Sequence, residues 1–111
     1  MSQITTHILD TSSGIPAENV TIILYRGGND NWSEIGRGIT DSDGRAKELL
    51  KGSVSAEGIF KLRFETKDYF DKKKMSTFYP YVEIIFEVAS SQHYHVPLLL
   101  NPFGYSTYRG S

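Results

Sequence analysis

Three histidines, His7, His93 and His95, are all the imidazoles in this 111-residue chain. Imidazole has a reference pKa of about 6.5, so it can take or give a proton near neutrality. Arg45 follows an Asp41-Ser42-Asp43-Gly44 turn, and Arg109 stands close to the terminal Ser111. A guanidinium presents a fork of donors suited to two adjacent oxygens or ring atoms. Each of these residues also has an ordinary reading. A histidine on a strand is most often a surface or hydrogen-bonded structural residue, and an arginine after a turn is by default a solvated cation. Histidines two apart, as at 93 and 95, could begin a zinc site, but the chain has no cysteine and offers no firm third ligand. Asp41 and Asp43 resemble a fragment of a calcium loop, yet turn chemistry explains them better and the rest of that motif is absent.

The elements that position these side chains read as short strands. Apolar residues alternate with a period of two, and turn residues interrupt them every eight to twelve positions. The expected strands are 4–10, 20–26, 32–40, 59–65, 81–89, 93–100 and 105–109. A short helix is expected from Thr66 to Lys74, with Thr66 as its N-cap. Seven or eight strands and one helix predict an all-β, two-sheet sandwich occupying residues 1–111 as one domain. In the first strand Ile4, Thr6 and Ile8 share one face, and Thr5, His7 and Leu9 the other. In the strand near the C-terminus Tyr94, Val96, Leu98 and Leu100 form the core face. His93, His95, Pro97 and Leu99 face away. An apolar outward face carrying histidines suits a subunit interface with a substrate pocket in it. If the last strand pairs beside 93–100, the C-terminus lies near His95.

Composition removes several classes. The formal net charge of −1 carries no electrostatic argument for nucleic acid or an anionic membrane. No apolar stretch is long enough to span a bilayer. The N-terminus lacks the basic and apolar regions of a secretory signal. The absence of cysteine excludes disulfides, thiolate metal sites and cysteine nucleophiles. The seven tyrosines and six phenylalanines suit half-buried strands.

Four segments carry a family resemblance when taken in order: Thr6-His7-Ile8-Leu9-Asp10 followed by Gly14-Ile15-Pro16-Ala17; Thr40-Asp41-Ser42-Asp43-Gly44-Arg45; Tyr79-Pro80 and then His93-Tyr94-His95-Val96-Pro97-Leu98-Leu99-Leu100-Asn101-Pro102; and a terminal Tyr108-Arg109-Gly110-Ser111. Together they resemble the 5-hydroxyisourate hydrolases of the transthyretin-like family, from about Ile4 to Ser111. Asn101 stands where the family more often has Ser, outside any catalytic motif. The resemblance implies a transthyretin-like sandwich of about eight strands. It implies a homotetramer, a dimer of dimers, with active sites in a channel at the dimer–dimer interface. It implies catalytic roles for His7, Arg45, His95 and Ser111, and substrate contacts from His7, Arg45, Tyr108 and Arg109. It points to His95 rather than His93, and it implies neither metal nor cofactor.

The implied reaction opens a cyclic amide of 5-hydroxyisourate in urate breakdown. In it, His7 or His95 is the general base towards water. Arg45 binds the planar substrate and stabilises negative charge, Tyr108 walls the pocket, and Ser111 with the terminal carboxylate orients a histidine or the water. The alternative is a carrier of the same fold that binds a flat aromatic ligand without catalysis. The Tyr-Arg-Gly-Ser ending argues against it, because Tyr108 and Arg109 would make such a channel narrow and polar. The C-terminus is not a Ser-Lys-Leu peroxisomal address, so the expected location is the cytoplasm, with the peroxisome open for a eukaryotic source.

Overall fold

A computed structural model describes residues 3–46, 48–50 and 57–110. Over these the chain forms β1 (Ile4–Asp10), β2 (Ile15–Pro16), β3 (Thr21–Gly28), β4 (Asn31–Ile39), β5 (Arg45–Ala46), β6 (Gly58–Phe64), α1 (Thr66–Lys72), β7 (Val82–Val88), β8 (Tyr94–Asn101) and β9 (Gly104–Thr107). One sheet has the order β2-β1-β8-β9, with β5 also paired to β1; the other has the order β4-β3-β6-β7. The two strands not expected from alternation, β2 and β5, are two residues each, too short to show a period of two.

The faces follow the alternation. Ile4 and Ile8 of β1 and Leu98 of β8 are fully buried, and so are Ile22, Leu24, Phe60 and Leu62 of the other sheet. These side chains belong to one core cluster between the sheets. Where the inward face is polar, it is satisfied, as burial demands. The Thr6 hydroxyl donates to the Val96 carbonyl at 2.5 Å. The Asp10 carboxylate accepts from Ser12 N at 3.0 Å, Ser12 Oγ at 2.5 Å and the Tyr69 hydroxyl at 2.7 Å. Burial opposes ionisation of Asp10, but the bonds from Ser12 and Tyr69 outweigh it and hold the carboxyl below its ordinary value. Tyr69 thereby ties α1 to the end of β1.

The helix starts differently from the expectation. Glu65, not Thr66, is the N-cap residue, and it makes no side-chain cap bond. The Glu65 N–H is still tied to β3, donating to the Thr21 carbonyl at 3.0 Å, and its carboxylate takes Arg63 at 2.7 Å. Thr66 therefore falls inside the first turn, where its buried hydroxyl has no partner among the described residues.

The decisive long-range feature is the parallel pairing of β1 with β8, in a register that sets Thr5 against His95 and His7 against Pro97. Two strands from opposite ends of the chain thus become neighbours in the sheet. No helix among the described residues is long and apolar enough to cross a membrane.

Candidate active site

The outer face of the β1–β8 pair carries the chemistry. In a sheet, residues paired directly opposite one another point to the same face. Arg45 is paired with His7, and His95 with Thr5, so all four side chains project outward together. The Asp41–Gly44 turn delivers Arg45 to that position. Asp41 Oδ1 accepts from the backbone of Asp43 at 2.9 Å and of Arg45 at 3.1 Å. Gly44 adopts φ +74°, and its carbonyl accepts from Ile8 N at 2.8 Å. A Cβ at Gly44 would stand 2.5 Å from the Ile8 carbonyl oxygen, so both conformation and contact require glycine there.

The imidazoles form one connected group. His7 Nδ1 and His95 Nε2 are 2.7 Å apart, with ring centroids 4.8 Å apart and planes 30° from parallel. His95 Nδ1 lies 2.7 Å from Thr5 Oγ1, and the same hydroxyl lies 2.8 Å from His93 Nε2. Both nitrogens of His95 are thus engaged, whereas Nε2 of His7 has no partner among the described residues. His95 is 8% exposed, His7 is half-buried and His93 is exposed.

Burial lowers the His7 pKa, and the nearby Arg45 cation lowers it further. Burial likewise lowers His95, with positive charge at His7, Arg45 and His93 adding to the effect, to about 4. Both rings are therefore neutral at neutral pH, the state a general base needs. Among the described residues, no group of three His, Asp or Glu side chains is arranged to hold a metal ion. The ring nitrogens that face one another are instead joined by hydrogen bonds.

The C-terminal segment closes one side of the site. After β9, Gly110 makes an isolated bridge to His95, its N–H donating to the His95 carbonyl at 2.8 Å. A Cβ on Gly110 would lie 2.8 Å from His95 Cδ2 and 3.3 Å from Pro97 Cγ. This contact covers part of the outward face: Pro97 is buried within the chain, while Leu99 remains partly exposed. The resulting pocket has a volume of about 490 Å³, and His7, Arg45, Glu48, His95, Tyr108 and Gly110 are among its lining residues.

His7, His95, Arg45 and Tyr108 thus come together as the sequence suggests. Arg109 does not join them: its guanidinium stacks over the Tyr94 ring at 4.4 Å and donates to Gln92 Oε1 at 3.2 Å, beside a different hollow. Ser111 lies outside the described residues. Sequence reasoning did not single out Thr5, Glu48 or the steric role of Gly110. For Thr5 a signal existed, since it shares the outward face of the first strand with His7. For Glu48 none did.

Residues 4–110 match the HIUase/Transthyretin family model. The chain belongs to this family. It is 43% identical over 106 residues to the 5-hydroxyisourate hydrolase of Salmonella dublin, a match covering 95% of this chain and 78% of that protein. Among solved structures it is similar to the Klebsiella pneumoniae 5-hydroxyisourate hydrolase, with TM-score 0.86 and 34% identity, covering 97% of this chain and 92% of that one. It is also similar to sea bream transthyretin in complex with thyroxine, with TM-score 0.90 and 28% identity over 98% of this chain and 95% of that one. Family membership therefore establishes the transthyretin-like sandwich. The hydrolase relatives and the neutral histidine pair beside Arg45 favour the enzyme within it.

Proposed function

We infer that the chain is a hydrolase that opens the cyclic amide of 5-hydroxyisourate to give 2-oxo-4-hydroxy-4-carboxy-5-ureidoimidazoline, a step of urate degradation. The observation that carries this reading is the 2.7 Å His7–His95 contact in a pocket where burial and Arg45 keep both rings neutral.

Opening an amide needs an activated water, a counter-charge for the developing oxyanion and a proton for the leaving nitrogen. His95 has both nitrogens occupied, so His7 is the group that meets the water, through its remaining Nε2. His7 takes the proton from water as hydroxide attacks the carbonyl carbon, and returns it to the departing nitrogen. His95 holds the His7 ring through Nδ1 and so orients it. Arg45 has a guanidinium without a partner among the described residues and binds the substrate's oxygens, strengthening its hold as the oxyanion forms. Single donors of this kind are worth roughly 3–4 kcal/mol at such sites. Tyr108 walls the pocket, and Ser111 completes the catalytic set in this reading. No step requires a cofactor.

The same reading takes the working molecule to be a homotetramer, a dimer of dimers with its sites at the dimer–dimer interface. Two features support it. Strands β7 and β9 are edge strands of their sheets among the described residues and contribute to one common hollow, and free edges are ready to pair with a second copy. Tyr108, beside the pocket, is 55% exposed and available to a further dimer. Cytoplasm, or the peroxisome in a eukaryote, is the proposed location.

The test generates 5-hydroxyisourate in place from urate with a urate oxidase and follows its ultraviolet decay. Acceleration over the spontaneous rate, lost in His7→Ala and His95→Ala with the assembly intact, is the expected result. A folded protein that leaves the decay unchanged would end the hydrolase reading and favour a ligand carrier.

A further inference from the structure

One threonine hydroxyl stands between two imidazoles. Thr5 Oγ1 is 2.7 Å from His95 Nδ1 and 2.8 Å from His93 Nε2, and His95 in turn contacts His7 at 2.7 Å. The pairing of Thr5 with His95 across β1 and β8 builds this arrangement, and His93 is brought to the same hydroxyl from just before β8. The His93 and His95 rings lie 21° from parallel with centroids 6.3 Å apart, so the hydroxyl fills the gap between them.

We propose that Thr5 and His93 are positioning residues that extend the His7–His95 pair into a four-group proton relay ending at the exposed His93 imidazole. The proposal rests on the hydrolase reading.

Donor and acceptor counts limit the states this chain of groups can take. A hydroxyl has one proton and two lone pairs, and a neutral imidazole has one N–H. A neutral chain of these four groups therefore has two polarities. In the first, His7 Nδ1–H donates to His95, His95 Nδ1–H donates to Thr5, and the Thr5 hydroxyl donates to His93 Nε2. His7 Nε2 is then a bare lone pair, a base. In the second, every bond is reversed, and His7 Nε2 carries a proton, an acid. Thr5 couples the tautomers, because it can donate to only one ring at a time.

Catalysis moves the chain between these states. When His7 Nε2 takes a proton from water, the Nδ1 proton passes to His95 Nε2. The His95 Nδ1 proton passes to Thr5, whose own proton passes to His93 Nε2, and His93 releases its Nδ1 proton to solvent. Protonation of the leaving nitrogen by His7 Nε2 runs the chain backwards, with one proton taken up at His93. Each cycle ends with the charge and proton count it began with. The direction has a physical cause. Positive charge is disfavoured at His7 and His95 by burial and by Arg45, while His93, at the same pocket, is exposed to water. Among the described residues Glu48 is the acidic group lining the pocket, and it faces the same space as Arg45, His93 and Tyr108.

Two variants test the relay. Thr5→Val keeps the shape and removes the hydroxyl, whereas Thr5→Ser keeps the hydroxyl. Thr5→Val is expected to lower kcat by about tenfold or more with KM little changed, a part of the roughly 10²–10⁴-fold that proton transfer supplies. Thr5→Ser is expected to restore most of the rate. His93→Ala is expected to lower kcat, and free imidazole in the buffer to raise it again saturably. Wild-type kcat in Thr5→Val or in His93→Ala would overturn the relay, as would a Thr5→Ser variant as slow as Thr5→Val. Nitrogen-15 NMR of the ring signals gives a readout independent of turnover. Thr5→Val should change the tautomer balance of His95 and of His7 together, and a change in only one of the two rings, or in neither, would again overturn the proposal. An inactive wild-type chain with coupled tautomers would remove the hydrolase reading and leave the relay standing.

Discussion

Gly110→Ala probes how closely the site depends on the folded-back C-terminus. The backbone at Gly110 is not in the left-handed region, so an alanine meets no conformational strain there. The obstacle is contact. Its Cβ would stand 2.8 Å from His95 Cδ2, and 3.3 Å from the His95 carbonyl oxygen and Pro97 Cγ. Carbon atoms prefer a separation of about 3.5–4.0 Å, so the tail or the imidazole must give way by roughly 0.7 Å or more. Moving the tail stretches the 2.8 Å bond from Gly110 N to the His95 carbonyl, worth about 1 kcal/mol. Moving the ring disturbs the 2.7 Å contact with His7. Overpacking a rigid core costs about 1–3 kcal/mol, but Gly110 lies outside the core cluster between the sheets, so the stability loss should stay near the lower figure. Activity is more sensitive, because a displacement of about 1 Å at a reacting group can cost roughly 10²-fold. The expected result is a kcat lowered by about 10- to 100-fold with a melting temperature reduced by only a few degrees. Gly104→Ala is the matched control on the same C-terminal hairpin. There the nearest atom, Asn101 Oδ1, would be at an ordinary 3.6 Å, and no loss of rate is expected. The coupled urate oxidase assay and a thermal melt read both variants. Wild-type kcat in Gly110→Ala would refute the argument that the tail braces His95.

The remaining predictions concern charge and hydrogen bonding. Because burial and Arg45 lower the His7 pKa, the acid limb of kcat/KM should fall below pH 6.5; a limb at or above 6.5 would contradict the electrostatic account. Arg45→Gln should move that limb upward even as the rate drops, and an unmoved limb would remove Arg45 as a cause. Stability should follow the same sign. The folded His95 value of about 4 lies below the ordinary 6.5, so the unfolded chain binds more protons between them. Stability is fully retained above pH 6.5 and declines as pH falls towards 4, by at most about 3 kcal/mol from this residue. Equilibrium urea unfolding at pH 7 and pH 4.5 tests it against His95→Gln, whose dependence should be shallower. Tyr69→Phe removes a 2.7 Å bond to the buried Asp10 carboxylate and should cost about 1.5–3 kcal/mol in denaturant melts while raising the Asp10 pKa; an unchanged midpoint would show that Ser12 alone satisfies the carboxylate.

Much of this was determined by local chemistry that a sequence displays. Alternation placed His7 and His95 on outward faces, because a strand has a strict period of two and the opposite residues, Ile4, Ile8, Val96 and Leu98, are apolar enough to claim the core. The Asp41–Gly44 turn was legible because Asp side chains bond their own backbone and glycine accepts a positive φ. The ordered motifs carried the family, and with it the proposed reaction. The helix α1 starts one residue earlier than the local cap preference of Thr66 suggests, because Glu65 is held by a bond to Thr21, more than forty residues away.

What tertiary structure decided is the relation between distant segments. Alternation says which face a side chain takes but carries no information on which strand lies beside it or in what register. The parallel β1–β8 pairing joins the two ends of the chain, and only its register puts Thr5 opposite His95 and brings His7 within 2.7 Å of the same ring. The low pKa of His95 arises first from burial and then from its charged or titratable neighbours His7, Arg45 and His93, two of them from other strands, so no single segment produces it. Arg109 shows the same limit from the other side. It is next to Gly110 in sequence, yet successive residues of an extended chain point to opposite sides, and its guanidinium rests on Tyr94 rather than in the pocket.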